Sequence, residues 1–393
     1  MKKDSKELSF ESKSIRTQAD RSAFREHSVP IYMTSSFVFD DAEQARALFA
    51  DEIPGNIYTR FSNPNSTEFI EKMCSLEHAE DGITTASGMS AVFVSLAAFL
   101  KTGDHIVSSR ALFGSSLQIM NTILPKWGIQ VSFAEGSRTE DFSAKFQPNT
   151  KMVFLETPSN PALEIMNISE IAKLCKEKNI ILNVDNCFCT PYLQNPILLG
   201  ADIITHSGTK YLDGQGRVIG GCVLGKKELI KEARFFARHS GPSLSPFNAW
   251  ILSKSLETLS LRMERHCSNA LELANRLSSH KKIQTVLYPF LDSHPQVTLA
   301  KKQMKLGGGI VSFVLKDGLE AGKNFLNSLE FLSHTANLGD SRTIATHPAS
   351  TTHSKVSDVE KEKLGILPGL IRISVGLEGI DDIYSDILQA LDA

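Results

Sequence analysis

Charge of one sign is missing from this chain: 42 lysines and arginines stand against 44 aspartates and glutamates, a formal net charge of −2 over 393 residues. No strong field is available to hold nucleic acid or an anionic membrane, so neither is an expected partner. No apolar run approaches the roughly 20 residues of a membrane span. The two lysines at the N-terminus are not followed by the apolar stretch of a secretory signal. Six cysteines in so long a chain do not make a disulfide framework. These absences point to a cytoplasmic, enzyme-sized protein with reduced thiols. No internal repeat and no low-complexity segment interrupts it.

What is present is a core. Hydrophobic residues make up 41% of the chain, enough to fill a sizeable core, and 393 residues suggest two or three domains, or one large domain with an appendage. Residues 1–60 are polar, then mixed, and read as an arm or lid. From about 80 to 225, short apolar runs alternate with helical patterns: GITTAS, HIVSS, MVFLET, IILNVD, ADIITH and VIGGCVLG read as strands. Between the third and fourth, Ile168, Ile171, Ala172 and Cys175 share one helix face, with Asn167 and Glu170 as a start signal. Continuous apolar strands alternating with helices predict a mostly parallel sheet covered on both faces. In such sheets ligands sit at the carboxyl ends of strands. The stretch NAWILSKSLETLSLRMERHCSNALELANRL reads as one long helix with Leu261 and Met263 in the core. KKIQTVLYP, GGIVSFVL and IRISVGLE read as strands and GKNFLNSLE as a helix, so 61–256 is expected as a large domain and 257–393 as a smaller α+β domain.

Three strand ends carry chemistry. Ser87-Gly88-Met89 opens an apolar helix, where small residues leave backbone N–H groups free for a phosphate; an ordinary strand-to-helix turn reads the same way. That turn is neither G-x-G-x-x-G nor a Walker loop. Asp185 closes the strand IILNVD, and a buried carboxylate there needs a partner, unless it caps a helix or turn. HSGTKYLDGQGRV places Lys210 after two hydroxyls, Ser207 and Thr209, at the end of another apolar strand. A lysine buried there loses its proton easily and becomes a nucleophile able to form a Schiff base; at a solvated strand end it is only a surface lysine. Taken together, phosphate anchor, carboxylate and lysine match one aldehyde cofactor, pyridoxal 5'-phosphate (PLP).

YTRFSNPN, ASGMSA, ETPSNP, VDNCF, SGTKY, LETLSLRMERH, HPASTTH and RISVGLE also resemble, in order and over nearly the whole chain, the Cys/Met-metabolism PLP-dependent enzymes of fold type I. The resemblance implies an aspartate-aminotransferase-like architecture: a seven-stranded sheet in the large domain, a smaller C-terminal domain, and an N-terminal arm contacting a neighbouring subunit. It implies that Lys210 holds PLP as an internal aldimine and that Asp185 keeps the ring nitrogen protonated. Ser87, Gly88, Met89, Ser207 and Thr209 would bind the phosphate, joined by Tyr58 and Arg60 from a neighbouring subunit of a tetramer built as a dimer of dimers. Phe113, where the family often has a stacking tyrosine, completes the catalytic set with Lys210 and Asp185 but lacks a phenolic proton. Asn160, Asn337 and Arg372 would bind the substrate.

GDHIVSSRALFGSS, VDNCFCTP and TKYLDGQGRVIGG resemble the O-succinylhomoserine sulfhydrylases, which implies γ-replacement of succinate by sulfide to give homocysteine in methionine biosynthesis. Ser115 stands where methionine γ-lyases have cysteine. Ala336-Asn337-Leu338-Gly339-Asp340 stands where transsulfuration enzymes read E-S-L-G-G, which disfavours cysteine as second substrate. Cystathionine γ-synthase, O-acetylhomoserine sulfhydrylase, methionine γ-lyase and an inactive PLP-binding regulator are the alternatives. Cys187 and Cys189 read as small packed residues, His206 as a packed histidine, and His347 with His353 is not promoted as a metal pair.

Overall fold

The computed structural model describes residues 8–351, 361 and 365–393. Its large domain is built on a seven-stranded sheet: β1 (Asp81–Thr85), β2 (His105–Ser108), β3 (Gln130–Phe133), β4 (Thr150–Glu156), β5 (Ile181–Asp185), β6 (Ile203–Ser207) and β7 (Gly221–Gly225), in the order β1-β7-β6-β5-β4-β2-β3. Only β7 runs against its neighbours. The predicted parallel sheet is therefore present, with all six strands read from the sequence in place. β3 was not read: two of its four residues are polar, and none is fully buried.

The direction of winding reverses between β2 and β4, because β2 and β3 step one way and β4, β5 and β6 the other. That reversal opens a crevice beyond the carboxyl ends of the central strands. Strand register brings Glu156 opposite Asp185 and Asp185 opposite Thr205 at that end.

Helices cover the sheet. Ile168–Glu177 forms as expected, with the Asn167 side chain accepting from Glu170 N at 3.2 Å and Ile168, Ile171, Ala172 and Cys175 buried. Burial of each large aliphatic side chain here stabilises the fold by roughly 1.5–3 kcal/mol. The long helical stretch is two helices, Pro246–Leu256 and Leu259–Leu277, separated at Glu257-Thr258. Neither glycine nor proline marks the break. The Ser255 carbonyl is taken by the Arg262 side chain at 2.9 Å, which substitutes for the backbone ladder there. Met263 is buried as expected; Leu261 is not core but 70% exposed, because it lies two residues from both Leu259 and Met263, on the outer face.

The smaller domain carries a second sheet in the order β10-β11-β12-β9-β8, made of β8 (Ile283–Leu287), β9 (Ile310–Leu315), β10 (Ser333–His334), β11 (Ile344–Thr346) and β12 (Leu370–Ser374). β8, β9 and β12 match the expected strands; β10 and β11 are too short to show a pattern. Helices Leu259–Leu277, Gly318–Ser328 and Ile380–Asp392 pack on this sheet around Leu273, Phe313, Phe325, Ile371 and Ile387. The Leu259–Leu277 helix also contributes Leu259 and Met263 to the large-domain core, with Tyr211 and Leu256. No helix among the described residues is long and apolar enough to cross a membrane.

Candidate active site

Ser87 caps the helix Gly88–Ala97, its hydroxyl accepting from Ser90 N at 3.1 Å. The Gly88 and Met89 amides open that helix, where backbone N–H groups lack partners within the helix. A Cβ on Gly88 would sit 2.5 Å from the Ser207 Cβ. Only glycine lets the helix start come this close to the end of β6, and the contact gathers Ser87, Gly88 and Ser207 at one point. Thr209 follows, its hydroxyl accepting from Gly220 N at 3.3 Å.

Lys210 breaks the helical turn Gly208–Leu212, with φ −91° and ψ −134°. Its Nζ donates to Asn337 Oδ1 at 2.7 Å. Burial lowers the pKa of this amine; the nearby Cys187 opposes the shift and Arg372 adds to it. This is the environment expected of a nucleophilic lysine.

Asp185 accepts from Cys187 N at 3.0 Å, and Glu156 accepts from Phe113 N at 2.8 Å. Burial pushes both carboxyls up, and the charge of Asp185 adds to the rise at Glu156. A carboxyl in this state gains most from a cation set against it. Glu156 was not singled out from the sequence, although it ends its strand as Asp185 does. The missed signal is two neighbouring parallel strands that both finish in a carboxylate. His206 is packed, as read: its Nε2 lies 2.6 Å from Glu77 Oε1, which also accepts from Asn186 Nδ2 at 2.7 Å.

Arg372, on β12, is buried. Nη1 donates to Asn160 Oδ1 at 3.0 Å and Nη2 to the Asn337 carbonyl at 3.2 Å, while Nε has no partner. Burial pushes its pKa down to about 10, with Tyr211 and Glu156 pulling it up. The three predicted substrate residues are thus in contact, although more than 200 residues separate the first from the last. Phe113 stands at the start of helix Gly114–Gln118, 46% exposed.

Tyr58 and Arg60 are not joined to this cluster. Arg60 donates to the Arg238 carbonyl and stacks on Tyr58 and Phe61, with its Cζ 5.5 and 4.8 Å from their ring centroids. Cys187 packs beside the site, and Cys189 is buried in the core. His347 is held by Ser350 Oγ at 2.8 Å and the Pro368 carbonyl at 2.6 Å; His353 lies outside the described residues. No metal-binding cluster occurs among the described residues.

The residues at this crevice fit PLP by donor chemistry: a glycine-tight helix start for the phosphate, a carboxylate for the ring nitrogen, an amine of lowered basicity for the aldehyde. Fold and site together define a PLP-dependent enzyme of amino-acid chemistry. The chain belongs to the Cys/Met metabolism PLP-dependent enzyme family, whose match spans residues 11–392. It is 44% identical over 384 residues to an O-succinylhomoserine sulfhydrylase of Pseudomonas aeruginosa, covering 98% of this chain and 95% of the relative. It is 42% identical over 395 residues to an L-methionine gamma-lyase of Treponema denticola, covering 100% and 98%. Among solved structures, metB from Corynebacterium glutamicum superposes with a TM-score of 0.93 at 36% identity, covering 99% of each chain. A putative O-acetylhomoserine (thiol)-lyase from Campylobacter jejuni, which carries a pyridoxyl-lysine-5'-monophosphate, superposes with a TM-score of 0.94 at 32% identity, covering 98% and 100%. The cofactor is PLP, and the chemistry makes or breaks C–S bonds of sulfur amino acids.

Proposed function

We propose that the chain is a γ-replacement enzyme that converts O-succinylhomoserine and sulfide to homocysteine and succinate. The observation that carries this reading is the meeting of Lys210 Nζ and Arg372 on one residue, Asn337. It sets an amine and a carboxylate receptor side by side, the two handles of an α-amino acid.

When bound, PLP supplies an aldehyde carbon and a ring that accepts electrons. Ser87, Ser207, Thr209 and the Gly88 and Met89 amides would hold its phosphate, Asp185 would hold a proton at the ring nitrogen, and Phe113 would offer the ring a stacking partner. Tyr58 and Arg60 reach the phosphate of a neighbouring subunit in a tetramer. Arg372 grips the substrate carboxylate through two parallel N–H groups. Asn160, whose Oδ1 already accepts from Arg372, keeps its NH2 to donate. Lys210, whose basicity burial lowers, takes the α-proton and returns it. Positioned proton transfer of this kind contributes about 10²–10⁴-fold.

Methionine γ-lyase is the second reading, favoured by the relative that matches this chain throughout. Ser115, in place of the cysteine of that group, argues for replacement instead. One assay separates them. Purified holoenzyme receives O-succinyl- or O-acetylhomoserine with sulfide or cysteine, and the products are identified. Homocysteine from the succinyl ester and sulfide is the expected result. Cystathionine, preference for the acetyl ester, or 2-oxobutyrate from methionine as the main product would overturn it.

A further inference from the structure

The motif LETLSLRMERH, Leu256–His266, carries the family resemblance but has no task at the site so far. Its Arg262 is buried and reaches back to the chain that follows Lys210. Nη1 donates to the Tyr211 carbonyl at 2.5 Å, and Nη2 donates to the Leu212 carbonyl at 3.3 Å and the Ser255 carbonyl at 2.9 Å. Nε completes the fork on Thr258 Oγ1 at 3.4 Å.

The backbone explains why a side chain is needed there. Lys210 departs from helical angles, so the regular ladder is lost around it. Buried carbonyls must still be paired. The Lys210 carbonyl accepts from Gly214 N at 2.8 Å, and the Gly208 carbonyl from Asp213 N at 3.0 Å. The Tyr211 and Leu212 carbonyls fall to Arg262. A planar five-donor fork serves both while also holding Ser255 and Thr258, a spread of fixed directions that a single ammonium does not offer.

The loop is shaped for this guanidinium. Gly214 has φ +70°, and a Cβ there would lie 2.0 Å from Nη1, so a side chain would displace the arginine. Asp213, fully buried and paired with Arg217 at 2.8 Å, supplies the nearby negative charge. Burial pushes Arg262 down to about 10, with Asp213 drawing it up and Arg217 pushing it further down.

We infer that Arg262 is a positioning residue for Lys210: by fixing the carbonyls of Tyr211 and Leu212 it sets the direction in which the lysine leaves the end of β6. The inference rests on the assignment of Lys210 made above. That assignment is checked separately, by borohydride reduction of wild-type holoenzyme and mapping of the labelled lysine. Label on another lysine overturns the assignment, whereas label on Lys210 leaves Arg262 to stand or fall on its own variants.

Arg262→Gln and Arg262→Lys are compared with wild type as holoenzymes, with kcat normalised to bound cofactor. The glutamine variant should lose roughly 10- to 100-fold in kcat with KM within about threefold. It should also shift the pH midpoint of the bound cofactor's visible absorption. Hydrogen exchange in the cofactor-free proteins should quicken over residues 208–217 and not over β5. The lysine variant should recover part of each effect. If Arg262→Gln does not fold, Gly214→Ala, which pushes the guanidinium away, should show the same signature. Wild-type kcat per bound cofactor together with a wild-type pH midpoint, in whichever variant folds, would overturn the inference. So would faster exchange spread evenly over the domain with those two values unchanged.

Discussion

Arg372 is a buried cation whose partners among the described residues are an amide oxygen and a carbonyl, with Nε unpaired. Such a group awaits an anion. Arg372→Lys keeps the charge and loses the fork, so kcat/KM should fall by roughly 100-fold, about 3 kcal/mol, mostly through KM. Steady-state kinetics with the homoserine ester checks this, and an unchanged KM would place the carboxylate elsewhere. At this scale the sequence was legible for Asp185, which ends β5, and for Lys210, three residues past the end of β6, but not for Glu156, which ends β4. It was not legible where partners come from distant segments: nothing local to Phe113 announces that its amide will meet Glu156, and nothing near Lys210 announces Asn337.

Elements were readable where one periodicity dominates, as in the six strands of the large sheet or the helix Ile168–Glu177. Where a side chain interrupts the backbone ladder, the pattern misleads, and the break at Glu257-Thr258 is the clearest instance. The same region holds a buried charge cluster. Lys72 on helix Pro64–Glu77 lies 3.2 Å from Glu68 and 3.3 Å from Glu257, and donates to the Ser253 carbonyl at 3.2 Å. Glu68 in turn accepts from Ser253 Oγ at 2.6 Å and Ala19 N at 2.9 Å. The cluster ties the helix Pro64–Glu77 to the helix Pro246–Leu256 that leads into the break. Lys72→Met leaves Glu68 buried without its cation and should cost about 3–5 kcal/mol. Urea unfolding would show it as a lower midpoint at similar slope, and a loss under 1 kcal/mol would argue against the cluster's role.

For the whole molecule, the Leu259–Leu277 helix joins the two cores, and His266 on it bonds the Val375 carbonyl through Nδ1 at 2.6 Å. Burial pushes His266 down to about 4, the Val375 bond opposing it and Arg262 adding to it. The folded protein keeps this ring neutral, while the unfolded chain protonates it below about pH 6.5. Its contribution is therefore complete above about 6.5 and lost as pH falls towards 4, by up to about 3 kcal/mol. His266→Phe keeps a ring against Tyr211 and should flatten the fall of Tm between those limits; an unchanged slope would refute the assignment. Assembly is tested separately. Lys210→Ala and Arg60→Ala should each be inactive, and co-expressing them should restore turnover if Arg60 serves a neighbouring subunit. No recovery would mean it acts within its own chain.

The six cysteines form no disulfides. Burial holds the thiols of Cys74, Cys175 and Cys267 at about 12 and pushes Cys187, beside Lys210, higher still. An enzyme that makes or breaks C–S bonds thus presents no ready thiolate of its own to compete for an activated carbon, or to be captured as a mixed disulfide or persulfide. Its sulfur chemistry is all brought in by the substrate.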